Sequence, residues 1–271
     1  MAVIFEKLAG GFTLITGGGT RTTIKLSRPW QPPLPLTPEQ CPFCTKPQQE
    51  LFLPHIPVGW RLLKNMFTPH RRHRLIIPEK CWDAEALQTL GGSTAIREAL
   101  ETVRLATKDD RVEMAANIHV GESAGQNLGH AHWHLAEVRV RKPLALPSLA
   151  PELLVREHGG FNIFAMGARA GECLIAQRGE RLKFTEGTVK ELALALEWII
   201  TRGNEKFLST EGRPPEFLVA IRISADGYFR YADYCPILTV WGAPEYVFAP
   251  LEGGPITLPW PHELTAQYLR G

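Results

Sequence analysis

Several short stretches read as strands, some alternating hydrophobic and polar residues with period two and others running apolar between turn signals. In the first half these are WRLLKNMF (60–67), HRLIIP (73–78), RVEMAANIHV (111–120) and HAHWHLAEVRV (130–140). In the second half they are FNIFAM (161–166), ECLIAQ (172–177), EFLVAIRIS (216–224) and GYFRYADY (227–234). Two stretches carry the helical period instead. Residues 83–108 do so with an interruption at Gly91 and Gly92, and residues 187–204 set Val189, Leu192, Leu196, Ile199 and Ile200 on one face. Near the start, GFTLIT and TTIKLS flank GGGTR, which reads as a hairpin with a glycine turn. That loop leads into a strand and lacks the Lys-Ser/Thr ending of a P-loop, so a phosphate-cradling role is set aside. Proline-rich connectors occupy 29–40 and 142–151.

The order of elements repeats. Each half runs strand, strand, helix, strand, turn, strand, and laying His73-Arg-Leu-Ile-Ile on Glu172-Cys-Leu-Ile-Ala offsets the halves by about 99 residues. GHAHWH (129–134) then falls close to GYFRYA (227–232), so the second copy has lost its histidines. The expectation is an α+β protein of two tandem units, 1–150 and 151–271, with one active site in the first.

Composition narrows the function. The 271 residues, 44% hydrophobic, suffice for a full core. A net charge of +2 without a basic stripe argues against a nucleic-acid partner. No stretch reaches the roughly 18 apolar residues that a membrane helix needs. Cys41, Cys44, Cys81, Cys173 and Cys235 make an odd count, and the start of the chain lacks the charged n-region and apolar run of a secretory signal; both point to a reducing, cytoplasmic setting.

Two constellations carry chemistry. In Asn117–Val138, His130, His132 and His134 alternate with Ala131 and Trp133, which on a strand sets three imidazoles on one face. The turn before them, with Gly121, Gly125 and Gly129, lets backbone N–H groups approach an anion closely. Neutral histidine is a good nucleophile towards phosphorus and titrates near neutrality. The second constellation is Cys41-Pro-Phe-Cys44, which presents two thiolates to one tetrahedral metal and leaves two ligands to be found. A redox pair and two core cysteines are the competing readings.

His-Ala-His-Trp-His-Leu resembles the signature of the histidine-triad superfamily, and HRRHRLIIPEK resembles that family's second landmark, a histidine followed by an apolar strand ending in proline. IKLSRPWQ, the prolines before C-P-x-C, and the closing segment from Tyr234 to Arg270 resemble the galactose-1-phosphate uridylyltransferase branch and related nucleotide phosphorylases. The resemblance implies tandem histidine-triad-like units, mainly antiparallel sheet with flanking helices, and a nucleotidylyltransferase acting at an α-phosphate through a covalent nucleotidyl-histidine. It gives His132 as nucleophile and His134 as the group that contacts the phosphate and assists the leaving group. It implies hydrogen bonds to substrate from Asn117, Ser123, Gly125 and Gln126, a ribose contact from Asn65, and phosphate contacts from Lys25 and Arg28. It implies Zn2+ on Cys41, Cys44, His73 and His130, with His70 competing for the place of His73. The implied partners are a nucleotide sugar or dinucleotide and a phosphate or sugar-phosphate acceptor, in carbohydrate metabolism, and the branch allows a homodimer. Two departures stand out. His134 occupies a position where that branch carries glutamine, as the hydrolase branches do not, and GYFRYADYCP has no histidine for a second metal. A nucleotide hydrolase and, from another class, a non-catalytic nucleotide-binding module are the alternatives.

Overall fold

The computed structural model describes residues 4–8, 11–15, 21–24, 39–46, 48–65, 72–121, 124, 126, 128–138, 150–166, 171–207, 212–237 and 262–270. The first strands, β1 (Ile4–Leu8), β2 (Gly11–Ile15) and β3 (Arg21–Ile24), form a three-stranded antiparallel sheet, so the expected hairpin is present and has gained a strand. A one-turn helix α1 (Pro42–Thr45) begins inside the C-x-x-C segment.

The remaining strands form one antiparallel sheet. They are β4 (Trp60–Lys64), β5 (Arg74–Pro78), β6 (Met114–Val120), β7 (Trp133–Glu137), β8 (Leu154–His158), β9 (Phe161–Ala165), β10 (Cys173–Gln177), β11 (Glu216–Ile223) and β12 (Phe229–Ile237). Their spatial order is β4-β5-β7-β6-β11-β12-β10-β9-β8. Apart from β8, that order reads the same from either end when β4, β5, β6 and β7 are matched to β9, β10, β11 and β12. Register makes the symmetry specific. Leu75, His134, Asn117, Ala220, Asp233 and Leu174 stand opposite one another in a single row across six strands. A pseudo-two-fold axis therefore passes between Asn117 and Ala220 and sets Leu75 on Leu174, the offset expected from sequence. The same register sets His134 on Asp233. Both pairs are offset by 99, so GHAHWH lies on 228–233, one residue along from the expected overlay on GYFRYA.

Helices cover one face. Gly91 and Gly92 both take positive φ, which splits 83–108 into α2 (Ala84–Gln88), capped by Asp83 accepting from the Ala86 amide, and α3 (Gly92–Thr107). The long helix α4 (Glu186–Lys206) buries Val189, Leu192, Leu196, Ile199 and Ile200, the stripe its spacing predicts. These side chains and Ile96, Leu100 and Val103 of α3 pack on Met114, Ala116, Ile118 and Val120 of β6 and Phe217, Val219, Ile221 and Ile223 of β11. The alternate residues of β6 and β11 are left on the opposite, open face. The carboxy-terminal helix α5 (His262–Arg270) packs by α4 and β8, and Arg202 of α4 donates to the Leu269 carbonyl. No helix among the described residues is long and apolar enough to cross a membrane.

One contact in this core is very tight. Gly203 of α4 faces the phenol of Tyr234, and a Cβ there would lie 2.1 Å from Tyr Oη. That hydroxyl is buried without a hydrogen-bond partner among the described residues. Gly203→Ala is expected to destabilise by about 2 kcal/mol in chemical denaturation, the usual scale of overpacking. Tyr234→Phe removes the closest clashing atom and the unpaired hydroxyl but leaves ring Cζ 2.8 Å from the added Cβ, so it should be neutral or stabilising alone and should recover only part of the Gly203→Ala loss in the double variant.

Candidate metal and histidine site

Strand β7 and the residues leading into it place the triad. His130 is fully buried, and its ring binds in two directions. Nε2–H donates to the carbonyl of Pro78 at the end of β5 (2.8 Å), which leaves the lone pair on Nδ1. Nδ1 faces three sulfurs: Cys41 Sγ at 3.3 Å, Cys44 Sγ at 3.6 Å and Cys81 Sγ at 3.2 Å. Cys44 and Cys81 lie 3.6 Å apart, and all four donor atoms fall within 4.8 Å of one another. Ligands at about 2.0–2.3 Å from a tetrahedral ion are separated by about 3.5–3.8 Å, so the cluster fits a four-coordinate Cys3His centre with little rearrangement.

Electrostatics agree with that geometry. Burial raises the Cys41 thiol, and burial together with hydrogen bonding to Cys41 and Cys44 pushes Cys81 up to about 12. Three thiolates do not accumulate here without a cation to offset their charge. Burial lowers His130, which keeps it neutral and able to ligate. The fourth donor gathered in this cluster is Cys81, where the resemblance implied His73. Cys81 follows the turn after β5, three residues beyond the Pro78 carbonyl that holds His130, whereas His73 precedes β5 and lies at the other end of the strand. His70 lies outside the described residues.

His73 belongs to the second cluster, on the open face. Its Nε2 is 2.9 Å from His134 Nδ1, and the Asn65 amide lies 3.3 Å from the same ring nitrogen. The rings of His132 and His134 meet at 4.9 Å between centroids, and those of His119 and His134 at 6.1 Å. His132 Nδ1–H donates to the His130 carbonyl (2.8 Å), which fixes the tautomer with the lone pair on Nε2. Phe43, from the C-P-F-C turn, packs edge-on to His130 at 5.4 Å and tilted against His132 at 5.8 Å, joining the two clusters.

The turn between β6 and β7 is braced from within. His119 Nδ1–H donates to the Ala124 carbonyl, and its Nε2 accepts from Asn117 Nδ2 at 2.9 Å. Gln126 is buried; its Oε1 accepts from the Gly121 amide and its Nε2 donates to the Leu128 carbonyl, each at 2.8 Å. The side chain expected to reach a phosphate therefore closes the turn. His119 is the site residue that sequence reasoning missed; its alternation with Asn117 on β6 carried the signal. Lys25, Arg28, Ser123 and Gly125 lie outside the described residues. Beside His73, Arg72 and Arg74 both pair with Asp110.

The fold is α+β, with two related units contributing to one antiparallel sheet and helices on one of its faces. No family model and no curated protein sequence matches the chain. Solved structures do. The chain is similar to a uridylyltransferase (TM-score 0.66, 15% identity, 100% of this chain and 97% of that one). It is similar to an ADP-glucose phosphorylase from Arabidopsis thaliana with bound ADP-glucose (TM-score 0.62, 15% identity, 99% of each chain). A GalT-like protein from Arabidopsis thaliana matches at TM-score 0.63 and 16% identity over 85% of this chain and 91% of that one.

The Cys3His assignment has a direct check. Elemental analysis of protein purified without chelator should find about one metal ion per chain. Cys81→Ala should lose the ion and lower the melting temperature, while His73→Ala should keep it; the reverse pattern would restore His73 as the ligand. Metal retention should fall as pH drops, because protons compete for thiols already held above their ordinary range by burial.

Proposed function

We propose that the chain is a nucleotidylyltransferase that acts at the α-phosphate of a nucleotide sugar or dinucleotide through a covalent nucleotidyl-His132. The single observation that carries this reading is the hydrogen bond from His132 Nδ1–H to the His130 carbonyl. It directs Nε2 outward as the attacking atom, in a turn-flanked site of the kind that holds phosphate. A buried histidine that only filled space would not need that tautomer.

In the first step His132 Nε2 bonds to the α-phosphorus while the bond to the bridging oxygen breaks, and the leaving group departs with the electron pair of that bond. His134, hydrogen-bonded to His73, supplies or holds the proton that a basic leaving oxygen requires. In the second step an acceptor oxygen attacks the same phosphorus and expels His132. Backbone N–H groups of the β6–β7 turn, with the second amide hydrogen of Asn117, offset charge on the phosphoryl oxygens, and His119 holds Asn117 in place. Asn65, Lys25, Arg28, Ser123 and Gly125 are assigned to substrate contacts. The ion at Cys41, Cys44, Cys81 and His130 is proposed to be zinc; when bound, it ligates the imidazole two residues from the nucleophile and braces that segment, leaving His132 to do the chemistry. The catalytic unit is assigned to 1–150 and the unit that has lost the histidines to 151–271.

Transfer to a phosphate or sugar-phosphate acceptor is supported by likeness along nearly the whole chain to a uridylyltransferase and a phosphorylase. Hydrolysis is the second reading, and the His73–His134 pair favours it, because a water nucleophile must lose a proton and a phosphate acceptor need not.

Protein should be incubated with labelled UDP-glucose, ADP-glucose and diadenosine tetraphosphate, with and without phosphate or hexose phosphates, then quenched for mass spectrometry. The adduct is expected on His132. His132→Gly should lower turnover by at least about 1,000-fold and abolish the adduct. An adduct elsewhere, or near-full activity of the variant, would overturn the mechanism. His73→Ala should slow release to water by about 100-fold if the pair deprotonates water, and should leave transfer to phosphate little changed.

A further inference from the structure

A cavity of about 530 Å3 lies between β8, α4 and α5, among residues the proposed chemistry does not use. Arg156, Arg202 and Arg270 line it, with Trp198 and Leu269 as its apolar wall and Glu205 as the one carboxylate among its lining residues. Its volume is within the usual range for small-molecule sites, roughly 300–1,000 Å3.

The backbone is bent to put Arg156 there. Leu154 stands opposite Phe164 and Arg156 opposite Ile163, so Val155 is an extra residue in β8. Ile163 is buried among the α4 side chains, so Arg156 stands on the helix face of the sheet. Regular pairing would have set it opposite Asn162, on the other face. Bulges at sheet edges re-aim side chains in this way. The guanidinium then lies over Trp198, 4.7 Å from the ring centroid, which fixes its plane.

The other two guanidiniums are also held in place. Arg202 Nε donates to the Leu269 carbonyl at 2.9 Å, and Arg270 donates from Nε to the Ala266 carbonyl and from Nη2 to the Glu152 carbonyl. Each of these contacts uses a fraction of the five N–H donors that an arginine carries. Glu205 answers only Arg202, at 3.3 Å. Three cations held around one concavity repel one another and focus a positive potential into it.

We propose that this cavity is a second binding site, for a small organic anion carrying two or more phosphates. Three fixed guanidiniums against one carboxylate match a diphosphate or triphosphate better than a single phosphate, since bidentate pairing needs several oxygens at once. The site is separate from the histidines. β8 is six strands from β7, about 29 Å at about 4.8 Å per strand, and the cavity opens on the helix face rather than the open face. Because Leu269 and Arg270 belong to α5, occupancy would fasten that helix to α4 and β8.

The test uses pyrophosphate as the probe on the full chain, read by calorimetry and by amide hydrogen exchange of 262–270. Wild-type protein should bind it, with exchange in α5 slowed, and a sulfate control should bind at least tenfold more weakly. Arg156→Gln/Arg270→Gln, both exposed positions, should weaken binding at least tenfold and remove the slowing; Arg156→Gln alone, which touches no backbone carbonyl, should lie between. His132→Gly should leave the slowing of α5 unchanged, which separates this site from the proposed catalytic one. Absence of binding, equal binding of sulfate, equal affinity in the double variant, or protection confined to other segments would each overturn the proposal.

Discussion

One imidazole organises the first half of this molecule. His130 turns Nδ1 to three cysteine sulfurs, donates from Nε2 to the end of β5, and accepts from His132 through its own carbonyl. Each interaction restricts the others. The Pro78 bond settles which nitrogen can ligate, and ligation from that side holds the backbone at His130 in place. That backbone supplies the carbonyl that settles the tautomer of the next histidine. Burial makes the arrangement stringent, because a fully buried ring with an unsatisfied nitrogen costs on the order of 1–3 kcal/mol. The cysteine cluster and the open-face histidines are thus coupled through a single residue, and Phe43 adds a packing contact to both.

The scaffold beneath is symmetric, and the chemistry is not. Leu63, Leu75 and Ile77 on the open face of the first unit correspond to Phe164, Leu174 and Ala176 in the second, and each set forms its own small apolar cluster. Selection for packing keeps such positions apolar in both copies. The polar positions of the same row have diverged: His134 is matched by Asp233, and Asn117 faces Ala220 across the axis. In the first unit the open-face cluster includes Cys41 and Phe43 of the C-P-F-C turn. The sheet therefore repeats its register in the second unit without the imidazoles on which the proposed chemistry depends.

What was legible in the sequence follows from these constraints. Period-two alternation on β6, β7, β11 and β12 and the apolar stripe of α4 report which face is buried, and those elements stand where the pattern puts them. The triad and C-x-x-C were legible because each is a local spacing. Cys81 was not, because a ligand supplied from 37 residues beyond Cys44 has no spacing signature. His73, close to a landmark strand, drew the assignment instead. β8 and α5 were missed for another reason: β8 is an edge strand whose bulge breaks the alternation, and α5 is only nine residues long. Gln126 lies in the glycine-rich turn with its side chain bonded to the turn's own backbone, a direction that sequence does not reveal.

The same limit applies to reaction class. A sheet similar to those of a uridylyltransferase and a phosphorylase does not decide a reaction class. In the proposed reaction that decision rests on the groups that face the second substrate. Two residues beyond His132, the proposed nucleophile, stands an imidazole with an imidazole behind it, a pair that can pass a proton. A proton relay gives little advantage to an acceptor that arrives as an anion and much to one that arrives as water. The sheet and the His73–His134 pair therefore favour different acceptors. A glutamine in the place of His134 would preserve a hydrogen bond to phosphate and forfeit the proton transfer, which is why the two features separate at this one position.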